Sequence, residues 1–439
     1  MRPARILLLL SRQFHQTFTL PPDPQVEPEV ARNFHHNVLV NFGDIIAWLF
    51  GYSFLAYNTI LPVYAHKLTD SPVVIGLIPA LIEAGWYLPQ VFLVPWVERL
   101  PRKLPVIAWM TIFERLPFLG FALLAFWQEH LIASAAVSVF IILVVLRALT
   151  GGLVALPYQE LIATVIPVSH RGRFFGISHM LGGLAGVVSA AIATWLLSRL
   201  VYPKNFALIF FIGFIFIMLS YVSIMQTIEP SRDPLPASPQ ETSQIIRRFL
   251  ALLDRNLNYR WFLFSRGFTF LGNMAAGFLA VYGLQRFKLP DAQAGVFTAI
   301  LMASNTIGYA FWGNIGDQWG YKRLAEISAG LWVLALATAL FAPSVIFFYL
   351  VFILYGLSSG SGIMADFNIA MEFGSQEDRT AYIGLTRTLT GPLLLAAPLF
   401  GGWLVLLTGY PAMFVISIIT AGIGLLLLWL RVSEPRWSS

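Results

Sequence analysis

The chain contains no cysteine among its 439 residues, and only 11% of them are charged. The absence of cysteine excludes disulfides and thiolate metal sites. A soluble protein would carry about a quarter charged residues, whereas this chain is 57% hydrophobic, with a mean hydropathy of +0.73. The excess of apolar residues predicts that lipid is the solvent for most of the chain.

The common signatures of catalysis are also missing. No Walker loop occurs, which excludes ATP hydrolysis by that route. The 7 histidines are scattered, and the adjacent pair His35 and His36 has poor helix geometry for binding one metal. We therefore predict that the protein is not an enzyme, that it needs no cofactor or metal, and that it binds no nucleic acid.

Hydropathy predicts an all-α integral membrane protein with twelve spans. Six spans form an N-terminal bundle at 37–228 and six form a C-terminal bundle at 260–432, flanked by tails at 1–36 and 433–439. The predicted spans are 37–64, 72–97, 104–127, 131–157, 174–200 and 206–228, then 260–285, 292–316, 322–342, 344–370, 381–406 and 410–431.

The segment between the bundles, 229–259, begins with a Pro- and Ser-rich linker. Ser238 and Glu241 form a capping-box pattern that predicts a helix start. The residues that follow place Ile245, Phe249 and Leu253 on one apolar face. This amphipathic helix either lies on the membrane surface or packs on the protein's own loops.

Positive charge predicts the orientation of the spans. With the N-terminus inside, about 19 of the 28 Lys and Arg residues fall in tails and inward loops, and about 5 fall in outward loops. This bias predicts that both termini are cytoplasmic and that the protein lies in the cytoplasmic (inner) membrane.

Short motifs recur in the same order in both halves of the chain. "VPWVERLPRK" (94–103) after span two is matched by "GNIGDQWGYKR" (313–323) after span eight. Three further matches pair "GLIPAL" with "GVFTAI", "RGRFFG" with "RTAYIG", and "IEPSR" with "SEPR". Four ordered matches predict that the second six helices repeat the first six. The two bundles should be related by a pseudo-twofold axis along the membrane normal, with a cavity between them.

The motif after spans two and eight resembles the signature G-x-x-x-D-x-x-G-x-[RK]-[RK] of the major facilitator superfamily, and the resemblance covers all twelve spans. The second copy fits at Gly313, Asp317, Gly320, Lys322 and Arg323. The first copy is degraded: Val94 and Pro101 replace the two glycines and Glu98 replaces the aspartate, while Arg102 and Lys103 remain.

Of two further family signatures, the chain carries one. The fourth-helix pattern R-x-x-x-G appears as Arg147 and Gly151. The Gly-Pro signature that the family associates with proton-driven antiport is missing from span five, and a Gly-Pro pair occurs instead in span eleven at Gly391 and Pro392. The chain therefore resembles a divergent member of the family, and antiport is the less favoured mechanism.

The resemblance implies that helices one, four, seven and ten line a central cavity. Each of these carries a charged residue: Asp44, Arg147, Arg266 and Asp366. Burial favours a neutral carboxylate and a nearby cation favours a charged one, so alternating exposure could load and release a proton. The alternative is that the four residues form fixed ion pairs between helices.

Three carboxylates are candidates for proton coupling: Asp44, Glu83 and Glu114. Glu83 is the deepest, and its alternative role is a buried hydrogen-bonded acid. Glu114 is also a plausible structural partner of Arg147. Glu114 and Arg115 point about 100° apart on an ideal helix, so we expect them not to share one face. Secondary cavity candidates are Gln90, Asn273, Asn305 and Arg387.

The repeated signature predicts two latches between the bundles. Asp317 should face the N-terminus of helix five near Arg171 and Arg173, because a carboxylate is stabilised at the positive end of a helix. Glu98 should face helix eleven near Arg379 in the same way. Both latches would hold the outward-open state, and the better-preserved second copy predicts that the Asp317 latch is the stronger.

These features favour a secondary active transporter that works by alternating access on a small organic solute. Proton coupling is expected, and the aromatic-rich, sparsely charged spans favour export of amphipathic, drug-like compounds. One alternative is a sugar or metabolite importer of the same fold. Others are a non-transporting receptor or scaffold, whose cavity charges would all be paired, and a lipid flippase with an apolar lateral opening. The expected partners are the solute, the lipid bilayer and protons, and we expect a monomer.

Overall fold

The structure is a computed structural model that describes residues 20, 26–97, 99–231, 251–373 and 379–437. The described residues form helices α1 to α12, one for each predicted span. The N-terminal bundle comprises α1 (Pro28–Ser53, continued by Ile60–Leu68), α2 (Pro72–Val97), α3 (Leu104–Trp127), α4 (Ala133–Val165), α5 (Val168–Arg199) and α6 (Lys204–Ile224). The C-terminal bundle comprises α7 (Leu257–Gly272, continued by Leu279–Phe287), α8 (Gln293–Trp319), α9 (Tyr321–Phe341), α10 (Val345–Glu372), α11 (Arg379–Thr408) and α12 (Tyr410–Arg431).

Ten of these helices, α3 to α12, are long and apolar enough to cross a membrane within the described part of the chain. α2 qualifies only as a shorter apolar helix, over Pro72–Trp86. α1 begins at Pro28 rather than at residue 37, because Val30, Phe34 and Val38 recur at four-residue spacing and are buried. The predicted N-terminal tail therefore contributes its last nine residues to the bundle.

The predicted amphipathic helix lies mostly outside the described residues, since 232–250 are not described. Its last turn, 251–255, is helical. Leu252 is buried there in a cluster with Tyr259 and Phe262 of α7. This end of the segment therefore packs against the C-terminal bundle.

The internal repeat is visible as matching interruptions and matching hydrogen bonds. α1 is interrupted at 54–59 and α7 at Asn273–Phe278, an offset of 219 residues at both ends (273 − 54 and 278 − 59). Asn37 exchanges two hydrogen bonds of 2.9 and 2.8 Å with the backbone of Ile228. Asn258 makes the same pair of bonds, at 3.0 and 2.8 Å, with Ser433. The two halves thus repeat the same local structure.

The bundles meet through two symmetry-related helix pairs, α2 with α11 and α5 with α8. The first residue of α1, Pro28, and the last residue of α12, Arg431, lie on one side of the molecule, here called the terminal face. The other side is called the opposite face. Near the opposite face the contact is close: a Cβ at Gly402 of α11 would lie 2.7 Å from the carbonyl oxygen of Pro72. Lys67 Nζ also lies 3.0 Å from Asp291 Oδ2, and the hydroxyls of Thr59 and Thr298 are 2.6 Å apart. The opposite face is closed.

Toward the terminal face α5 and α8 separate. The two helices run antiparallel, and facing residues keep one register along them. Gly186 of α5 lies beside Met302 of α8, and farther along the ring centres of His179 and Tyr309 are 6.4 Å apart. Beyond this contact, a Cβ built on the α5 glycines Gly172 and Gly176 or on Gly313 of α8 would have no atom of another described element within 4 Å. The bundles therefore diverge, and the space between them opens toward the terminal face.

Candidate functional site

A cavity of about 670 Å³ lies between the two bundles, within the range of small-molecule sites. It is lined from α1, α2, α4, α7 and α9 to α12. Its wall combines aromatic rings with a few charged groups: Trp48, Tyr52, Tyr57, Glu83, Trp86, Arg147, Arg266, Phe270, Trp332, Tyr355, Asp366 and Arg387. Such a wall suits a solute with apolar and polar parts.

One set of charges forms a buried network behind the N-terminal wall. Glu114 Oε2 accepts from Arg115 Nη1 at 2.8 Å, and Glu114 Oε1 lies 3.3 Å from Arg147 Nη1. Arg115 donates to Ser220 at 3.0 Å, and Ser220 donates to Asp44 at 2.6 Å. The network ties α1, α3, α4 and α6 together.

Two expectations change at this network. Asp44 is buried, with 4% of its surface exposed, and does not line the cavity. Glu114 and Arg115, which were expected not to share one face, nevertheless pair with each other, because the long arginine side chain bends back to its neighbour's carboxylate. The predicted contact between Glu114 and Arg147 is confirmed.

Gly151 gives the R-x-x-x-G pattern a physical meaning in this chain. A Cβ at Gly151 would collide with Nη1 of Arg147, the atom that faces Glu114. The guanidinium carbon of Arg147 also lies 5.3 Å from the Trp48 ring centre and 5.1 Å from that of Phe118. The glycine and the rings together fix this arginine at the cavity wall.

The C-terminal wall carries its own ion pair, between Arg266 of α7 and Asp366 of α10. Both residues line the cavity. Arg266 lies over the ring of Phe270, 4.6 Å from its centre. Asp366 Oδ1 is buried and has no hydrogen-bond partner within the described ranges. Two of the four predicted cavity charges are therefore paired with each other, as the fixed-pair alternative requires.

Glu83 stands apart from both charge groups. It lines the cavity and accepts a hydrogen bond of 2.6 Å from the Tyr57 hydroxyl. Among the described residues, no lysine or arginine forms an ion pair with it. Tyr57 was not predicted, because it lies in the interruption of α1 at 54–59, and hydropathy had given one continuous span there. Within the described residues, Glu83 is thus a cavity carboxylate whose hydrogen-bond partner is a hydroxyl and not a cation.

The secondary candidates separate into three cases. Asn273 and Arg387 line the cavity. Asn305 instead lies between α8 and α10, where its backbone nitrogen would be 3.0 Å from a Cβ on Gly356. The side chain of Gln90 lies outside the described part of the structure.

The residues of the second signature copy contact other residues of the C-terminal half. Asp317 accepts a 2.9 Å hydrogen bond from Tyr321, and its carbonyl accepts one of 2.9 Å from Arg436. Gly320 has φ +88°, which requires glycine at the turn into α9. Lys322 and Arg323 both pair with Glu326, at 2.9 and 3.5 Å. Gly313 faces open space.

Among the remaining latch residues, the structure describes Arg171, Arg173, Arg102 and Lys103. Arg171 donates to the carbonyls of Ile166 and Ala163 at the end of α4. Arg173 and Arg102 are exposed, and Lys103 is buried. Glu98 and the Arg379 side chain lie outside the described residues. The Asp317 latch is not formed in this structure, in which the terminal face is open.

A carboxylate lies at the start of α3. Its motif was identified from the sequence as part of the repeat, but the carboxylate itself was not given a role. Glu229 of "IEPSR" accepts from the Lys103 amide at 2.8 and 2.9 Å and from the Leu104 amide at 2.8 Å. Its repeat partner, Glu434 of "SEPR", lies against Gly320 at the start of α9. The repeated motif therefore places a carboxylate at the N-terminus of the helix after each signature loop.

Replacing Glu229 with alanine should lower the free energy of unfolding by about 1–3 kcal/mol, because the change removes charge-assisted bonds to two helix-terminal amides. Thermal unfolding in detergent would measure the loss. The matched variant Glu129→Ala changes an exposed carboxylate in the α3–α4 connection and should have little effect. Equal midpoints for the two variants would contradict the capping role.

Glu434 should make stability depend on pH. Burial, and then repulsion from Glu372, raise the pKa of Glu434 from 4.5 to about 7, against the opposing effects of the Lys322 amide and Arg436. The folded state therefore binds more protons than the unfolded state between these values, so this contribution is fully present below 4.5 and is lost as pH rises through about 7. Glu434→Gln should reduce the pH dependence of the thermal unfolding midpoint across this window. An unchanged slope of the midpoint against pH would contradict the assignment.

The sequence model of the Major Facilitator Superfamily matches residues 44–308 and 262–438 of the chain. No curated protein sequence matches the chain. The family match covers both bundles, including the cavity and the two signature loops.

Solved structures share the fold at low sequence identity. A single-substitution mutant of the nucleoside transporter NupG has a TM-score of 0.70 at 14% identity and covers 89% of this chain and 98% of its own. A D-xylose–proton symporter has a TM-score of 0.63 at 16% identity, with 91% and 98% covered. A bacterial homologue of the iron transporter ferroportin, in the inward-facing state, has a TM-score of 0.66 at 14% identity, with 89% and 98% covered.

Proposed function

The chain belongs to the Major Facilitator Superfamily, and from this premise we propose that it is a proton-coupled secondary transporter of a small organic solute. The central cavity, closed at the opposite face and open at the terminal face, supports alternating access. The excess of Lys and Arg in tails and loops at the terminal face supports a cytoplasmic location for both termini. The structure would then be the inward-open state.

Glu83 is the observation that carries the proposal of proton coupling. Asp366 is paired with Arg266, and Asp44 and Glu114 belong to the buried network. Only Glu83, among the described cavity carboxylates, has a neutral partner alone. A carboxylate without a fixed cation can exchange a proton when the face to which it is exposed changes.

The aromatic wall supports an amphipathic solute. Trp332 and Tyr355 have ring centres 5.0 Å apart, and Trp48 stacks on Tyr52 at 5.9 Å. All four residues line the cavity. Aromatic rings bind apolar groups, and their hydroxyl and indole groups bind polar ones. We therefore favour an amphipathic organic compound over a sugar, and export over import.

The register of α5 and α8 supports the Asp317 latch as the closing contact. Gly183 lies beside Thr306, and His179 lies beside Tyr309. Continuing the same register places Asp317 opposite Arg171. In the open structure Asp317 is held instead by Tyr321. Closure of the terminal face would exchange this partner for the N-terminal turn of α5.

The proposal is tested by transport in proteoliposomes. A thermal-shift screen of a solute library on the purified protein identifies ligands, because binding to the folded state raises its stability. The labelled ligand is then followed across vesicles with and without an imposed pH gradient. We expect the gradient to drive its accumulation. Flux that is saturable but insensitive to the gradient would reject proton coupling, and the absence of any saturable flux would reject transport.

A further inference from the structure

A second cavity, of about 400 Å³, lies on the outer side of the C-terminal bundle between α7 and α11. The atoms that its wall exposes are all apolar, and Arg260 contributes only the aliphatic part of its side chain. The apolar part is formed by Leu263, Phe264, Phe268, Leu271, Leu389 and Leu393. Phe264 and Leu389 are strongly exposed. We call this feature the α7–α11 groove.

The groove has the length of one membrane leaflet. Arg260 lies one turn into α7, close to the terminal face, and Leu271 lies eleven residues farther along. At 1.5 Å per residue this spans about 16 Å, and half of a hydrocarbon core is about 15 Å. Gly267 leaves the middle open, since only the Leu393 side chain approaches a Cβ built there, at 3.5 Å. An acyl chain fits this shape.

The one cation of the groove lies where a lipid headgroup would lie. Nε of Arg260 is buried and has no hydrogen-bond partner among the described residues. In the part of the chain that the structure describes, no carboxylate lines the groove. Basic groups between helices at a membrane surface attract anionic headgroups. We propose that the α7–α11 groove binds an anionic phospholipid of the leaflet at the terminal face, with its phosphate on Arg260 and an acyl chain along Gly267.

The bound lipid would stabilise the helix that carries the C-terminal cavity charges. Arg266 and Phe270 project from the other face of α7 into the central cavity, at positions between those of the groove residues. On α11, Arg387 lines the cavity, while Leu389 and Leu393 line the groove. An acyl chain between the two helices would therefore set their spacing behind the solute site. This lipid site depends on membrane insertion and not on the proposed solute or coupling ion.

The test is lipid binding to the full-length protein in detergent, measured by native mass spectrometry with phosphatidylglycerol and phosphatidylcholine. Parent protein should bind phosphatidylglycerol more tightly. Arg260→Gln should weaken that binding about fivefold, since one cation near an anionic surface contributes about 1 kcal/mol. Gly267→Leu should weaken it by filling the groove. Arg255→Gln, which changes an exposed cation next to α7, should bind like the parent.

Each remaining outcome overturns the proposal. If Arg260→Gln binds the lipid with the affinity of the parent, Arg260 does not bind the headgroup. If Gly267→Leu does so, the acyl chain does not lie along Gly267. Equal losses in Arg255→Gln and Arg260→Gln would indicate general surface charge. Equal affinity of the parent for the two lipids would indicate apolar filling without headgroup recognition.

Discussion

Replacing Glu114 with alanine is expected to lower the free energy of unfolding by about 3–5 kcal/mol, because two buried guanidinium groups lose their carboxylate. Glu114 contacts both Arg115 and Arg147, and all three are buried. The loss should be measurable as a lower denaturation midpoint of the purified protein in mixed micelles.

Two further variants separate the lost ion pairs from nonspecific damage. Glu129→Ala removes an exposed carboxylate and should change stability by less than about 0.5 kcal/mol. Gly151→Ala removes no charge but places a Cβ against Arg147, so it should also destabilise the protein. If Glu114→Ala is as stable as Glu129→Ala, the network does not hold the N-terminal bundle together.

Glu83→Gln is expected to abolish solute accumulation driven by a pH gradient. With one proton per solute, a gradient of one pH unit supports an accumulation ratio of about tenfold; the glutamine variant should give a ratio of about one. Solute exchange without a gradient should persist, because glutamine still accepts the Tyr57 hydrogen bond that Glu83 accepts in the parent. Radiolabelled uptake and counterflow in proteoliposomes measure both quantities.

The control for this result is Asp44→Asn. Asp44 is hydrogen-bonded to Ser220 away from the cavity, so the variant should retain gradient-driven accumulation even if it is less stable. Parent-like accumulation by Glu83→Gln would exclude Glu83 as the coupling site. Loss of accumulation in Asp44→Asn with retained accumulation in Glu83→Gln would assign coupling to the buried network.

Much of the fold could be predicted because its signals are local and repeated. Runs of apolar residues give the spans, and the matched motifs give the two bundles. The contact between Glu114 and Arg147 also followed from the sequence, because each charge lies at mid-span and needs a partner there.

The details of the site depend on packing that a linear pattern does not contain. Whether Asp44 faces the cavity or α6 depends on the rotation of α1, and Ser220 gives it a partner on the buried side. The contact of Tyr57 with Glu83 depends on the interruption of α1, which hydropathy does not detect. Glu229 is distant in sequence from the α3 amides that it caps. In each case the deciding partner lies on another helix or beyond a break.

In alternating access, the two faces of the transporter open in turn around the central cavity. Because the chain has no cysteine, spin labels can be attached to introduced cysteines without first removing native ones. One pair, Val168→Cys with Trp319→Cys, spans the bundles at the terminal face, and another, Val201→Cys with Ile346→Cys, spans them at the opposite face; all four residues are strongly exposed. When protons and a transported solute are supplied, electron–electron double resonance should show the first distance shortening as the second lengthens. Distances that stay fixed, or that change in the same direction, would contradict alternating access.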